Sequence, residues 1–139
     1  MYQKILVAAD GSEHSKRAAQ EAIKLAKGHP EMAVTLLYVV DYDKARNEIL
    51  KSQHTPDDAT ERKKNLSPLE ELFRSAGINC ETTILQGTPG PTIVRHANET
   101  GYDLVFIGSR GLNAFQEMVL GSVSHKVAKR VQAPVVIVK

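Results

Sequence analysis

The chain has 139 residues, of which 42% are hydrophobic and 24% charged, and its formal net charge is +2. These values are typical of one soluble domain covering residues 1–139, and they exclude disordered, collagen-like and low-complexity classes. A general nucleic-acid binder needs a dense basic surface, so we expect no nucleic-acid partner. A single cysteine, Cys80, excludes an internal disulfide. The first apolar run, Ile5 to Ala9, is too short for a signal sequence or a membrane span, so we expect a cytoplasmic protein with no membrane partner.

Short apolar runs alternate with amphipathic segments along the chain. The runs predict strands at residues 5–9, 33–40, 78–84, 103–107 and 133–138. The amphipathic segments predict helices at residues 12–27, 69–76, 93–100 and 122–131. Because strands and helices alternate, we predict an α/β, Rossmann-like fold: a single open five-stranded parallel sheet, in the order 3-2-1-4-5, with helices on both faces.

Residues 41–65 interrupt this alternation, because they contain few apolar residues among many charges. We interpret them as a solvated excursion that is mobile and partly helical. The sequence Ser67-Pro68-Leu69-Glu70 resembles a capping box with proline in the first turn of a helix. The alternative is a helix that begins earlier and kinks at Pro68, and the sequence leaves both open.

Polar residues and glycines follow the predicted strands. Asp10 follows the first strand, Asp41 the second, Gly87 the third, and Gly108 and Gly111 the fourth. In an open parallel sheet, ligands bind outside the carboxyl ends of the strands. We therefore expect the functional site at this edge.

A Gly-Ser pair, Gly121-Ser122, stands at the start of the last predicted helix. The backbone N–H groups at a helix start lack partners, and the helix dipole favours an anion there. Glycine lets the backbone approach a phosphate, and Ser122 and Ser124 can add hydroxyl donors. The alternative is that the glycines only permit a turn while Ser122 caps the helix. The local sequence favours neither the phosphate site nor the simple turn and cap.

Together the glycines form a motif with a long gap, Gly108-x2-Gly111-x9-Gly121-Ser122. The motif resembles the nucleotide-binding signature of the universal stress protein family, in its ATP-binding branch. Four further segments are similar to the family's opening strand and acidic turn, the end of its second strand, its Gly-x-Pro loop and its closing strand. They are residues 4–12, 38–41, 87–89 and 133–138.

The resemblance implies that ATP binds at the carboxyl edge of the sheet. The residues implied at the nucleoside end are Ala8, Ala9 and Asp10, with Val39 beside the adenine. Those implied along the ribose and phosphates are Gly108, Ser109, Arg110, Gly111, Leu112 and Asn113. Those implied at the distal phosphates are Gly121, Ser122, Val123 and Ser124. The resemblance also implies Mg²⁺ or Mn²⁺ with the ATP, and since the sequence offers no dedicated protein cage, phosphates and water would supply most of the ligands.

The sequence supports binding better than turnover, because no motif supplies an obvious general base or positions a water for phosphoryl transfer. We expect a nucleotide-dependent regulatory or stress-response module that changes its interactions with an unidentified protein partner through residues 41–65. The alternatives are a slow Mg-dependent ATPase and a nucleotide-free interaction protein of the same fold. The five histidines share no metal-ligand spacing, so we interpret them as solvated side chains. Lys126, Lys129 and Arg130 are interpreted as a solvated helix face.

The last predicted strand is almost wholly β-branched from Val135 to Val138, and the predicted order places it at an edge of the sheet. An exposed edge of this kind is an aggregation hazard. We therefore predict a homodimer in which this strand pairs with its counterpart about a two-fold axis, an arrangement that the resemblance also implies.

Overall fold

The computed structural model describes residues 2–41, 58–111 and 120–139. Predictions for Leu112, Asn113 and residues 42–57 lie outside these residues. The strands are β1 Lys4–Ala9, β2 Ala33–Val40, β3 Cys80–Gln86, β4 Leu104–Gly108 and β5 Val135–Val138. The helices are α1 Glu13–Ala26, α2 Asp58–Ser75, α3 Pro89–Thr100 and α4 Ser122–Arg130.

The five strands form one parallel sheet in the order β3-β2-β1-β4-β5, which confirms the predicted topology. Central β1 pairs with β2 on one side, with Ala9 opposite Tyr38, and with β4 on the other, with Val7 opposite Phe106. The chain therefore reverses its direction of winding between β1 and β4. That crevice is where an open parallel sheet binds ligands.

Two apolar cores cover the sheet, one on each face. Alternate residues of β1 face opposite cores, with Ile5 and Val7 on one side and Leu6 on the other. Helices α1 and α2 pack on the first face, and α3 and α4 pack on the second. Because β1 is buried on both faces, it appears in the sequence as a continuous apolar run.

Helix α2 begins at Asp58 and continues through Pro68, so of the two alternatives that the sequence left open, the earlier start is observed, and residues 58–65 of the predicted excursion are helical. Proline has no N–H and leaves the carbonyl of residue 64 without its helical donor. Lys64 is exposed, so water can satisfy that carbonyl. Leu66, Leu69 and Phe73 are at most 4% exposed, and their burial against the sheet stabilises a helix that passes through the proline.

The amino edge of the sheet holds the start of the chain. The Asp103 carboxylate accepts 2.9 Å hydrogen bonds from the backbone N–H groups of Gln3 and Lys4, which lower its pKa. His96 is partly buried rather than fully solvated, and its Nε2 lies 3.0 Å from the Tyr102 hydroxyl. Asp103, which follows α3, therefore holds the start of the first strand in place.

None of the described helices combines the length and the apolar character that crossing a membrane requires.

On the edge strand β3, burial raises the pKa of the Cys80 thiol to about 11. The thiol is therefore neutral near pH 7 and a poor nucleophile.

Candidate functional site

The turn that follows β1 holds the Asp10 carboxylate in place. Asp10 Oδ1 accepts a 2.9 Å hydrogen bond from the Ser12 backbone N–H, and Ser12 Oγ caps α1 by accepting from the Ser15 N–H at 3.1 Å. Gly11 between them has a φ of +85°, a conformation that favours glycine. One carboxylate oxygen is thus engaged in the turn, which fixes the direction of the other.

That second oxygen, Asp10 Oδ2, lies against the backbone of Gly111. A Cβ atom added to Gly111 would stand 2.6 Å from it, closer than nonbonded atoms approach. A side chain at position 111 would therefore displace the Asp10 carboxylate. Two predicted site residues from different strand ends, Asp10 and Gly111, are brought together across the β1–β4 crevice.

The start of α4 is held against the end of β4 by hydrogen bonds to one carbonyl. The Ser109 carbonyl accepts from the Gly121 N–H at 2.7 Å and from the Ser124 hydroxyl at 2.8 Å. Ser109 and Ser124 are 4% and 2% exposed. The Ser124 hydroxyl also lies 3.0 Å from the Gly121 carbonyl. In this arrangement Ser124 joins the two elements, a different use from the phosphate contact predicted for it.

The first turn of α4 presents backbone donors at the same edge. Gly121 is its N-cap, and no described side chain caps the helix. The N–H groups of Ser122, Val123 and Ser124 have no acceptor among the described residues. Together with the positive end of the helix dipole, these groups form a local environment suited to an anion.

Gly108 has a packing role that its sequence position did not reveal. A Cβ atom at Gly108 would lie 2.7 Å from the carbonyl carbon of His14, in the first turn of α1. Helix α1 therefore crosses directly over the end of β4, and only glycine allows that approach. This role is independent of any ligand.

The other predicted site residues that are described lie around this edge in less direct positions. Ala8 and Ala9 are buried in opposite cores, and Val39 packs on the α3–α4 side of the sheet. Arg110 is half-buried beside Gly121, since a Cβ atom at Gly121 would stand 3.5 Å from the Arg110 Cα. Val123 is half-buried and Ser122 is exposed.

Sequence analysis missed a contact that α2 makes with this edge. Asn65 donates a 2.9 Å hydrogen bond from Nδ2 to the Tyr38 hydroxyl, and its Oδ1 lies where it would collide with a Cβ atom at Gly11. Asn65 thus touches the turn that carries Asp10. It lies within the segment interpreted as a solvated excursion, so nothing local in the sequence indicated the contact.

The comparisons with known proteins agree with one another. The profile of the universal stress protein family matches residues 1–139. Universal stress protein YxiE of Bacillus subtilis is 36% identical over the full length of both chains. The solved structure of hypothetical protein MJ0577 superposes with a TM-score of 0.86 at 29% identity, covering 100% of this chain and 96% of that one.

Two further solved structures contain adenine nucleotides. A universal stress protein in complex with cAMP has a TM-score of 0.72 at 26% identity, covering 99% of this chain and 97% of that one. The universal stress protein of Archaeoglobus fulgidus in complex with dAMP has a TM-score of 0.73 at 25% identity, covering 99% of this chain and 98% of that one.

Proposed function

Because the chain belongs to the universal stress protein family, we propose that it is an ATP-binding regulatory module of the stress response. The observation that carries the proposal is the juxtaposition of the Asp10 carboxylate with the Gly111 backbone, on the same edge as the open N–H groups of α4. The site therefore offers an acceptor on one side and donors on the other. That polarity suits a sugar hydroxyl and a phosphate of one nucleotide.

The residues take distinct roles in this proposal. Asp10 accepts a hydrogen bond from the ribose, and the backbone of Gly111 allows the sugar to lie close to the sheet. The N–H groups of Ser122 and Val123 and the exposed Ser122 hydroxyl donate to phosphate oxygens. The two ligands seen in structural relatives, cAMP and dAMP, share adenine and a single phosphate. ATP, with its longer phosphate chain, is the ligand that we propose for this protein.

A divalent ion, Mg²⁺ or Mn²⁺, accompanies the ATP in this proposal. Within the ranges that the structure describes, no three histidine, cysteine or carboxylate side chains cluster as metal ligands. Phosphate oxygens and water therefore supply most of the coordination sphere, as is common for Mg²⁺.

The proposed module binds ATP in the cytoplasm and regulates a partner protein rather than acting as a dedicated enzyme. It is a homodimer joined through β5. The support for the dimer is the position of β5 at the edge of the sheet, where its unpaired backbone groups would otherwise invite aggregation.

The test of nucleotide binding compares Asp10→Asn with the wild type by isothermal titration with Mg²⁺-ATP. Asparagine keeps the Oδ1 acceptor for Ser12 but places an amide where the second carboxylate oxygen was. We expect about tenfold or greater loss of ATP affinity, because a hydrogen bond to a charged group contributes about 1.5–3 kcal/mol. Glu81→Gln, at an exposed position of β3, is the matched control and should bind like the wild type.

The wild-type protein alone can refute the proposal. It should release adenine nucleotide on denaturation or gain thermal stability with Mg²⁺-ATP, AMP or cAMP, and GTP should have a smaller effect. If it contains no nucleotide and shows no thermal shift with any of them, it does not bind adenine nucleotides. Steady ATP hydrolysis clearly above that of Gly121→Val would instead indicate an enzyme.

A further inference from the structure

A shallow groove of about 660 Å³ runs along the outer face of α4. Its lining residues are Leu120, Gly121, Ser122, His125, Lys126, Lys129 and Arg130. The helical members stand at positions i, i+3, i+4, i+7 and i+8, which is one continuous face of a helix. At 1.5 Å per residue, this face is about 12 Å long.

The charged side chains that line the groove are all positive. Residues 120–139 contain four Lys and Arg and no Asp or Glu, whereas the whole chain has a net charge of only +2. Two Lys or Arg side chains elsewhere in the described chain form ion pairs, Lys24 with Glu21 and Arg74 with Glu71. No described carboxylate forms an ion pair with a cation of the groove. The solvated-face interpretation explains exposed lysines but not this segregation of charge.

The position of one groove cation is set by packing. The side-chain stem of Lys126 crosses Gly90 of α3, with its Cδ 3.0 Å from the place that a Cβ atom would occupy there. Gly90 is buried and Lys126 is half-buried. The stem therefore forms part of the wall, and less side-chain entropy is lost when the ammonium group binds an anion.

We propose that the α4 groove is a docking surface for a short acidic segment of a partner protein. Carboxylates complement Lys126, Lys129 and Arg130, and the lysine stems and Leu120 offer apolar contact to the same peptide. An extended peptide rises about 3.3 Å per residue, so the groove accommodates about four residues. Duplex DNA fits it less well, because three cations over about 12 Å cannot reach the 6–10 phosphates that a DNA-binding surface commonly contacts.

The test is a fluorescence anisotropy titration of the full-length protein, freed of bound nucleotide beforehand, with a fluorescein-labelled hexaglutamate peptide. The groove variant combines Lys126→Gln, Lys129→Gln and Arg130→Gln. The matched control combines Lys16→Gln, Lys27→Gln and Lys63→Gln, which removes the same charge at exposed positions of the other face and its flanks. We expect at least tenfold weaker binding for the groove variant and less than twofold for the control.

A second measurement does not depend on how the variants fold. Amide chemical shifts of the wild-type protein, followed during the same titration, should change along α4 and at Gly90 and remain constant on α1. Wild-type affinity should also fall as KCl is raised from 50 to 150 mM.

Four results would overturn the proposal. They are the absence of saturable peptide binding at 50 mM KCl, an equal loss in the control variant, shift changes centred away from α4, and tighter binding of a 20-base-pair duplex than of the peptide at 150 mM KCl. Since nucleotide is absent, each of them leaves the proposed ATP binding unaffected.

Discussion

Three glycines of the motif differ in what surrounds their missing side chains. A Cβ atom would collide with the backbone of α1 at Gly108 and with the Asp10 carboxylate at Gly111, whereas at Gly121 it would meet neighbours only at 3.5 Å or more. The close packing of α1 therefore explains why position 108 is glycine, and the nearby Asp10 carboxylate explains why glycine suits position 111. Among the described residues, Gly121 has no comparable steric requirement, so in our proposal the close approach of a phosphate is what favours glycine there.

Because of this difference, we expect alanine substitutions at Gly108 and Gly121 to have different effects on stability and on ATP binding. Gly108→Ala should lower the free energy of unfolding by about 1–3 kcal/mol, because the new methyl group forces α1 away from β4. Gly121→Ala should unfold at nearly the same urea concentration as the wild type but bind Mg²⁺-ATP more weakly. Urea denaturation and calorimetric titration measure the two effects. Equal destabilisation by both substitutions would contradict the steric assignment.

Among the elements, β3 and β5 are the two edge strands of the described sheet, and the proposed dimer concerns β5. The carbonyls of Pro134 and Val138 accept from the N–H groups of Val105 and Ser109, so these positions point towards β4. Because backbone groups alternate along a strand, those of Val135 and Ile137 point away from the sheet. They are the groups available to a second copy of the strand.

A single proline tests the proposed dimer at this element. Ile137→Pro removes an outward N–H but none of the bonds to β4, and proline is tolerated on an edge strand when its nitrogen faces outward. We expect it to convert the dimer to a monomer in light scattering. Ile137→Ala loses similar packing but keeps the N–H, so it should remain dimeric. A dimeric proline variant would show that β5 does not form the interface.

Across the whole molecule, the carboxyl ends and the amino ends of the strands have different roles. The carboxyl edge carries Asp10, Gly111 and the start of α4, whereas the amino edge is closed by Asp103, His96 and Tyr102. Burial lowers the pKa of His96 below its ordinary 6.5, an effect opposed by Glu99 and reinforced by Lys4. The folded state therefore favours neutral His96.

The sign of the resulting pH dependence follows from this shift. A histidine whose pKa is lowered by folding contributes fully above its unfolded pKa, and the contribution is lost as pH falls below about 6.5. The melting temperature of the wild type relative to His96→Gln should therefore decrease from pH 7.5 to pH 5. A relative melting temperature that increases on acidification would show that the buried form is the protonated one.

Much of the architecture was accessible from the sequence. The five strands and the order of the sheet were predicted correctly, because continuous apolar runs and helical spacing follow directly from burial on both faces. The long-gap glycine motif likewise pointed to the carboxyl edge. The start of α2 was not determined, since the local signals at Ser67 and Pro68 are compatible with both a boundary and an interior proline, and the burial of Leu66 and Leu69 favours the longer helix.

By itself, then, the sequence determined the fold class and the strand order, and it predicted a ligand site at the carboxyl edge of the sheet. Only the tertiary structure decided that Asp10 lies against Gly111, that Gly108 admits α1 and that Asn65 reaches Tyr38. The physical reason is the separation along the chain over which each kind of interaction acts. Periodicity and capping act within a few residues of chain, whereas these contacts join residues far apart in sequence, and their distances depend on how helices pack across the finished sheet.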